Sequence, residues 1–265
     1  MSGQILSEAA VHILTTADPD DKTDLTARYA AGWWEGSITE IGTAELPDRP
    51  ARPAKPDLLP PGKMPRRSFG SDAGRAAFIH AIAHIELNAI DLAWDIVARF
   101  TEEDMPKAFY DDWVGIAADE ARHFAMLNTR LASLGFTYGD FPGHDGLWEV
   151  AQNTTDDLAA RLALVPMVLE ARGLDTAPDA ANRFRSNGDI ETADILDLIA
   201  REEIPHVAAG THWFQYLCER DGYDPVERFQ DFVRSRFRTN LKAPFNDAAR
   251  REAGMSKAYY LPLVE

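Results

Sequence analysis

The sequence predicts an all-α protein centred on a four-helix bundle, itself made of two duplicated hairpins, and three observations lead there. Asp119-Glu120-Ala121-Arg122-His123 and Glu202-Glu203-Ile204-Pro205-His206 each set a Glu and a His three residues apart. At that spacing both side chains share one helix face and can grip one metal ion. Each run follows a helical stretch with a lone glutamate near its middle, Glu86 and Glu170. The resulting order, Glu, Glu-x-x-His, Glu, Glu-x-x-His over four successive helices, is the ligand set of dinuclear carboxylate bundles. Finally, a shift of 84 residues superposes Glu86 on Glu170, Asp91 on Asp175, Ala93 on Ala177, Asp95 on Asp179, Arg99 on Arg183 and Phe100 on Phe184. Glu120 and Glu203 are 83 apart, as a duplicated hairpin with one deletion would leave them.

Depth supports the pairing. Glu86 stands 18 residues before Asp104 and Glu120 stands 16 after it, so both fall roughly 25 Å from the turn at about 1.5 Å per residue. Glu170 and Glu203 stand 18 before and 15 after Gly188. The ligands of each hairpin therefore meet at one level.

In chain order, residues 4 to 16 space their apolar positions as an amphipathic helix, and 23 to 34 form a second. Leu46 to Met64 carries six prolines and reads as an extended arm without regular structure. Residues 1–70 are thus N-terminal helices and arm packed on the bundle, 71–220 the bundle, and 221–265 a C-terminal helical extension. The first bundle helix runs from the N-cap Ser71 to about Glu102, with His80 and His84 on it. His84 lies some 200° around the helix from Glu86, away from the ligand face. The second helix starts at Asp104 and stops at Leu134, before Gly135. A long connection from Phe136 leads to Thr154, which with Asp157 caps the third helix. Pro166, one turn before Glu170, and Pro205, inside the second Glu-x-x-His, each predict a kink or widened turn beside the ligands, and Pro178 predicts a further break. The fourth helix runs from Asp189 to about Arg220, followed by helices from Pro225 to Phe237 and from Asn246 to Glu252. Trp33-Trp34 and Tyr259-Tyr260 read as packing residues.

Composition sets outer limits. The 265 residues hold 45% hydrophobic residues and no run of some 18 apolar ones, which disfavours a membrane span. Met1-Ser2-Gly3-Gln4 shows no basic-then-apolar leader, and a single cysteine, Cys218, suits a reducing cytoplasm. A net charge of −16 disfavours nucleic acid and anionic membranes as partners. Arg228, Arg234, Arg236, Arg238 and Lys242 form the one basic cluster, read as a solvated or internally paired face.

Two divalent ions, each with one His and sharing carboxylates, suit iron or manganese. The metal ligands are Glu86, Glu120, His123, Glu170, Glu203 and His206. Asp119 and Glu202 are placed to accept a hydrogen bond from the free imidazole nitrogen of the opposite hairpin's histidine, fixing its tautomer.

These residues resemble the ferritin-like superfamily over about 71 to 220, and Asp119-Glu120-Ala121-Arg122-His123 looks like the Asp-Glu-x-Arg-His run of bacterial dinuclear-iron monooxygenases. Glu170-Ala171-Arg172-Gly173-Leu174-Asp175, Tyr138-Gly139-Asp140 and Lys242-Ala243-Pro244-Phe245-Asn246 are similar to the bacterial family called domain of unknown function 455, over nearly the whole chain. The superfamily resemblance implies a ferritin-like bundle, two iron ions at the six ligands and dioxygen chemistry, with manganese or mixed occupancy fitting the same set. The expected activity is an oxygen-dependent oxidoreductase, hydroxylase or oxidase, acting on a small organic substrate with a reductase partner. A tRNA-modifying hydroxylase and a ferroxidase-like metal-binding stress protein are the alternatives. Leu127 stands where radical-generating ribonucleotide reductase subunits carry a tyrosine, so no stable tyrosyl radical is expected. The long extensions argue against bulk iron storage.

Overall fold

The computed structural model describes residues 4–65, 67–237 and 240–264, and these are predominantly helical, with almost no strand. Met1, Ser2, Gly3 and Arg238, used above to read targeting and charge, lie outside them. The chain divides into two units, Met1–Trp148 and Glu149–Glu265.

In the first unit, β1 (Gln4–Ile5) pairs in parallel with β2 (Ile38–Glu40), and between them run α1 (Leu6–Leu14) and α2 (Pro19–Trp34). α2 begins earlier than its apolar periodicity indicates because Asp18 accepts from the N–H groups of Asp20 and Asp21 at 3.0 and 3.1 Å, with Pro19 in the first position. Residues 41–60 hold no helix, as their prolines predict, and end in a short 3₁₀ turn at Pro61–Lys63. Two long helices follow, α3 (Asp72–Arg99) and α4 (Lys107–Ser133). Ser71 caps α3 as expected, accepting from Gly74 N–H at 3.1 Å. Gly135, at φ 82°, ends α4 while Phe136 N–H returns to the Leu131 carbonyl. The unit's core is α3 against α4, with α1 on α3 and α2 on α4. Ile79, Leu87, Trp94 and Val97 from α3 and Phe109, Trp113, Phe124 and Leu127 from α4 are buried in it.

By length and composition α3 is apolar enough to cross a membrane, although no uninterrupted apolar run exists; 72% of its most apolar stretch is buried within the protein. It also carries the buried acids Glu86, Asp91 and Asp95, the mark of a core helix. The connection after α4 is less irregular than predicted, since α5 (Gly146–Gln152) forms near its end.

The second unit contains α6 (Leu158–Leu164), a π-turn at Val165–Glu170, α7 (Ala171–Ser186), α8 (Ile190–Asp221), α9 (Pro225–Arg236), α10 (Asp247–Glu252) and α11 (Lys257–Tyr260). Asp157, not Thr154, caps α6, accepting from Ala160 N–H at 2.9 Å, while the Thr154 hydroxyl takes the buried Arg161 Nε–H at 2.8 Å. Pro166 produces the widened turn the sequence predicts. Pro178 and Pro205 do not break their helices: both lie inside continuous α-helix. α7 and α8 form the main helix pair of this unit, and burial of Phe184, Leu196, Val207 and Phe214 along it outweighs one missing backbone donor in each helix. α8 closes at Gly222, φ 78°, with Tyr223 N–H on the Cys218 carbonyl at 2.8 Å. The Cys218 thiol is buried, and burial pushes it up to about 11.

The aromatic pairs differ from each other. Tyr259 and Tyr260 pack as expected, Tyr259 accepting from Gln215 at 2.9 Å and Tyr260 donating to Asp247 at 2.8 Å. Trp33 is buried with its indole N–H on Asp111 at 2.7 Å, whereas Trp34 is 58% exposed and packs little. The helical register that buries one turns the other outward.

Candidate metal centre

Glu120 and His123 sit one turn apart on α4, and the short connection from α3 brings Glu86 to the same level. His123 Nδ1 lies 3.4 Å from Glu86 Oε2 and 3.7 Å from Glu120 Oε2. All three side chains are buried, and each offers a ligand atom within 4.8 Å of the others. Burial alone would lower the His123 pKa, but the Glu120 and Glu86 carboxylates override it and hold the imidazolium up to about 11. Two buried carboxylates facing one imidazole make this nest a site for positive charge. Two carboxylates and an imidazole suit a divalent iron, manganese or zinc ion.

In the second unit Glu203 and His206 repeat the arrangement on α8, with His206 Nδ1 3.6 Å from Glu203 Oε2 and both side chains buried. Glu170 closes the π-turn. That turn seats directly on α8, because a Cβ added at Gly210 would meet the Pro166 ring at 2.4 Å. Gly210 lies one turn beyond His206, so this contact sets the level of the turn bearing Glu170 against the helix bearing Glu203 and His206. The sequence signal was a glycine inside a long helix four residues after His206.

Other singled-out residues have local roles. His84 turns away from Glu86, as its spacing predicts: its Nε2–H donates to the His144 carbonyl at 3.0 Å, and Nδ1 accepts from the Tyr138 hydroxyl at 2.7 Å. His80 Nε2 accepts from Gly139 N–H at 2.9 Å while its ring stacks on Tyr138. Burial holds both histidines down to about 4, so they latch the 138–144 loop in neutral form. Gly143 permits the approach, since a Cβ there would come within 2.7 Å of His84 Nε2. Asp119 is partly exposed and accepts from Arg122 at 2.8 Å; Glu202 is half-buried. Arg236 pairs with Asp156 at 2.6 Å, Arg228 lies 3.8 Å from Asp157 and over the Phe232 ring, and Arg234 lies 3.8 Å from Asp231. Arg228, Arg234 and Arg236 of the basic cluster are thus paired within the chain.

The profile of the family described as protein of unknown function DUF455 matches residues 15–261. This chain belongs to the DUF455 family. An uncharacterised protein of Haemophilus influenzae is 39% identical over 258 residues, covering 92% of this chain and 88% of its own length. No solved structure matches the chain. The DUF455 match takes in both Glu-x-x-His runs and most of the two extensions.

Proposed function

We propose that Glu86, Glu120, His123, Glu170, Glu203 and His206 together hold two metal ions, iron in the first instance, in a ferritin-like four-helix bundle, and that this centre serves an oxygen-dependent oxidation of a small organic substrate. The observation that carries the reading is a buried Glu-x-x-His in each half of a sequence repeat, the first with Glu86 beside it. Four carboxylates neutralise the charge of two divalent ions, and the two imidazoles complete a set that suits iron or manganese. Bound iron would supply the valence change that dioxygen chemistry requires. The protein's part is to hold the donors in a dry site, with Asp119 and Glu202 as candidate partners for the histidines' second nitrogens.

The test is metal analysis, with anomalous diffraction at the iron, manganese and zinc edges, on protein purified without added metal. Two peaks among the six residues support the centre. A lone zinc on other residues overturns it. Oxygen uptake by reduced, iron-loaded protein then separates an oxidoreductase, which turns over with a reductant and co-substrate, from a ferroxidase-like protein, which consumes oxygen once. A tRNA-modifying role has less support, because Arg228 and Arg236 are engaged with Asp157 and Asp156.

A further inference from the structure

Two and five residues beyond Glu86 stand Asn88 and Asp91; two and five beyond Glu170 stand Arg172 and Asp175, their counterparts under the 84-residue repeat. On an α-helix these offsets lie roughly 200° and 140° from the glutamate, on the back of the ligand helix. In both units an extension grips that back. Lys22 of α2 pairs with Asp91, both buried, and Arg52 from the proline-rich arm donates to Asn88 at 2.6 Å while standing 3.7 Å from Asp91. In the second unit Arg250 of α10 donates to Asp175 through Nε at 2.9 Å and Nη2 at 2.7 Å, and Asn246 N–H adds a bond at 2.9 Å. Arg172 donates to the carbonyls of Lys242 at 2.7 Å and Pro244 at 3.1 Å.

We propose that these contacts are braces that keep the ligand glutamates facing inward before metal arrives, with Lys22 and Arg250 as positioning residues. Glu86, Glu120 and Glu203 are buried, and buried carboxylates that neighbouring histidines offset only in part favour water in the absence of a divalent ion. The relaxation open to the helices is to turn those faces outward. Turning α3 would pull Asp91 off Lys22, and turning α7 would pull Asp175 off Arg250, so each ion pair opposes the motion from behind. A pre-oriented site binds more tightly because the protein does not have to be reordered by the ligand. The extensions thereby act on the centre.

The inference rests on the metal-centre reading, and the experiment separates the two. Full-length protein, stripped of metal, is titrated with Co(II) and Fe(II) without oxygen. Measured beside wild type are Lys22→Met/Asp91→Asn and Arg250→Met/Asp175→Asn, which remove both charges of each buried pair, together with Lys22→Arg and Glu120→Ala. The expected result is an affinity loss of about 10–100-fold in each double variant, the size seen for groups that orient metal ligands, with Lys22→Arg close to wild type. Unchanged affinity in folded double variants, with only a lower melting temperature, would make the pairs merely structural and overturn the braces. If Glu120→Ala binds metal like wild type, the centre itself is misassigned and the braces fall with it.

Discussion

In the first unit Glu86 rides on an uninterrupted α-helix and the connection to α4 spans residues 100–106, whereas in the second Glu170 closes a π-turn imposed by Pro166 and the connection to α8 is only residues 187–189. The repeat positions at the seat differ accordingly. Ile82 and Leu127 occupy the places of Pro166 and Gly210. A large buried leucine faces the core from the straight hairpin; a glycine makes room for a proline ring in the widened one. The comparison teaches that the pattern of the proposed ligands constrains which residue types recur, not the backbone path that delivers them. A single-residue length change is absorbed by a longer helix and a tighter turn.

The sharpest way to break the comparison is to remove ligands from one side at a time. Ala at Glu120 or His123, and equally at Glu203 or His206, is expected to remove at least half of the bound metal while circular dichroism stays helical, since apolar packing holds each unit. Metal loss confined to the first unit's variants would show that the two halves are not equivalent. Next in size is Gly210→Ala, expected to cost about 1–3 kcal/mol by overpacking against Pro166, with much of that recovered in Gly210→Ala/Pro166→Ala. Denaturant unfolding of the single and double variants reads the coupling, and simple additivity would sink the proposed seat.

Acid should separate the units more gently. His80 belongs to the first unit, and its pKa falls from 6.5 unfolded to about 4 folded. Between those values the unfolded chain binds a proton that the folded chain does not, so stability is fully present above 6.5 and declines toward pH 4, by up to about 1.4 kcal/mol per pH unit for one such group. His80→Gln keeps a side-chain acceptor for Gly139 N–H without titrating and should flatten the decline, as urea unfolding between pH 7 and 4.5 would reveal. An identical slope in the variant removes His80 from the account. The smallest effect is Arg236→Ala in the second unit, expected to change stability by under about 1 kcal/mol because the pair with Asp156 is at the surface.

Much of this architecture could be read from local chemistry. Ser71, Gly135 and the Asp189 start are cap and stop signals acting within a few residues, and Glu-x-x-His is a one-turn pattern, so both survive translation into structure. Pro166 was legible as a widened turn for the same reason. Pro178 was misread as a break because proline's local penalty was weighed without the packing along α7 that offsets it. Nothing in its local sequence marks Lys22 as a core residue; Asp91, 69 residues away in sequence, explains its burial. Gly210 was silent because its meaning lies in the ring of Pro166.

The buried sulfhydryl of Cys218 offers an experimental convenience. With its pKa pushed up to about 11, almost none of it is thiolate at neutral pH, and the thiolate is the reacting form. Maleimides and nitroxide reagents should pass over the native chain. Cysteines introduced at exposed positions such as Trp34 in the first unit and Tyr223 in the second would then be the labelled points. Distances between spin labels or fluorophores on the two units could be followed during metal loading without first building a cysteine-free background.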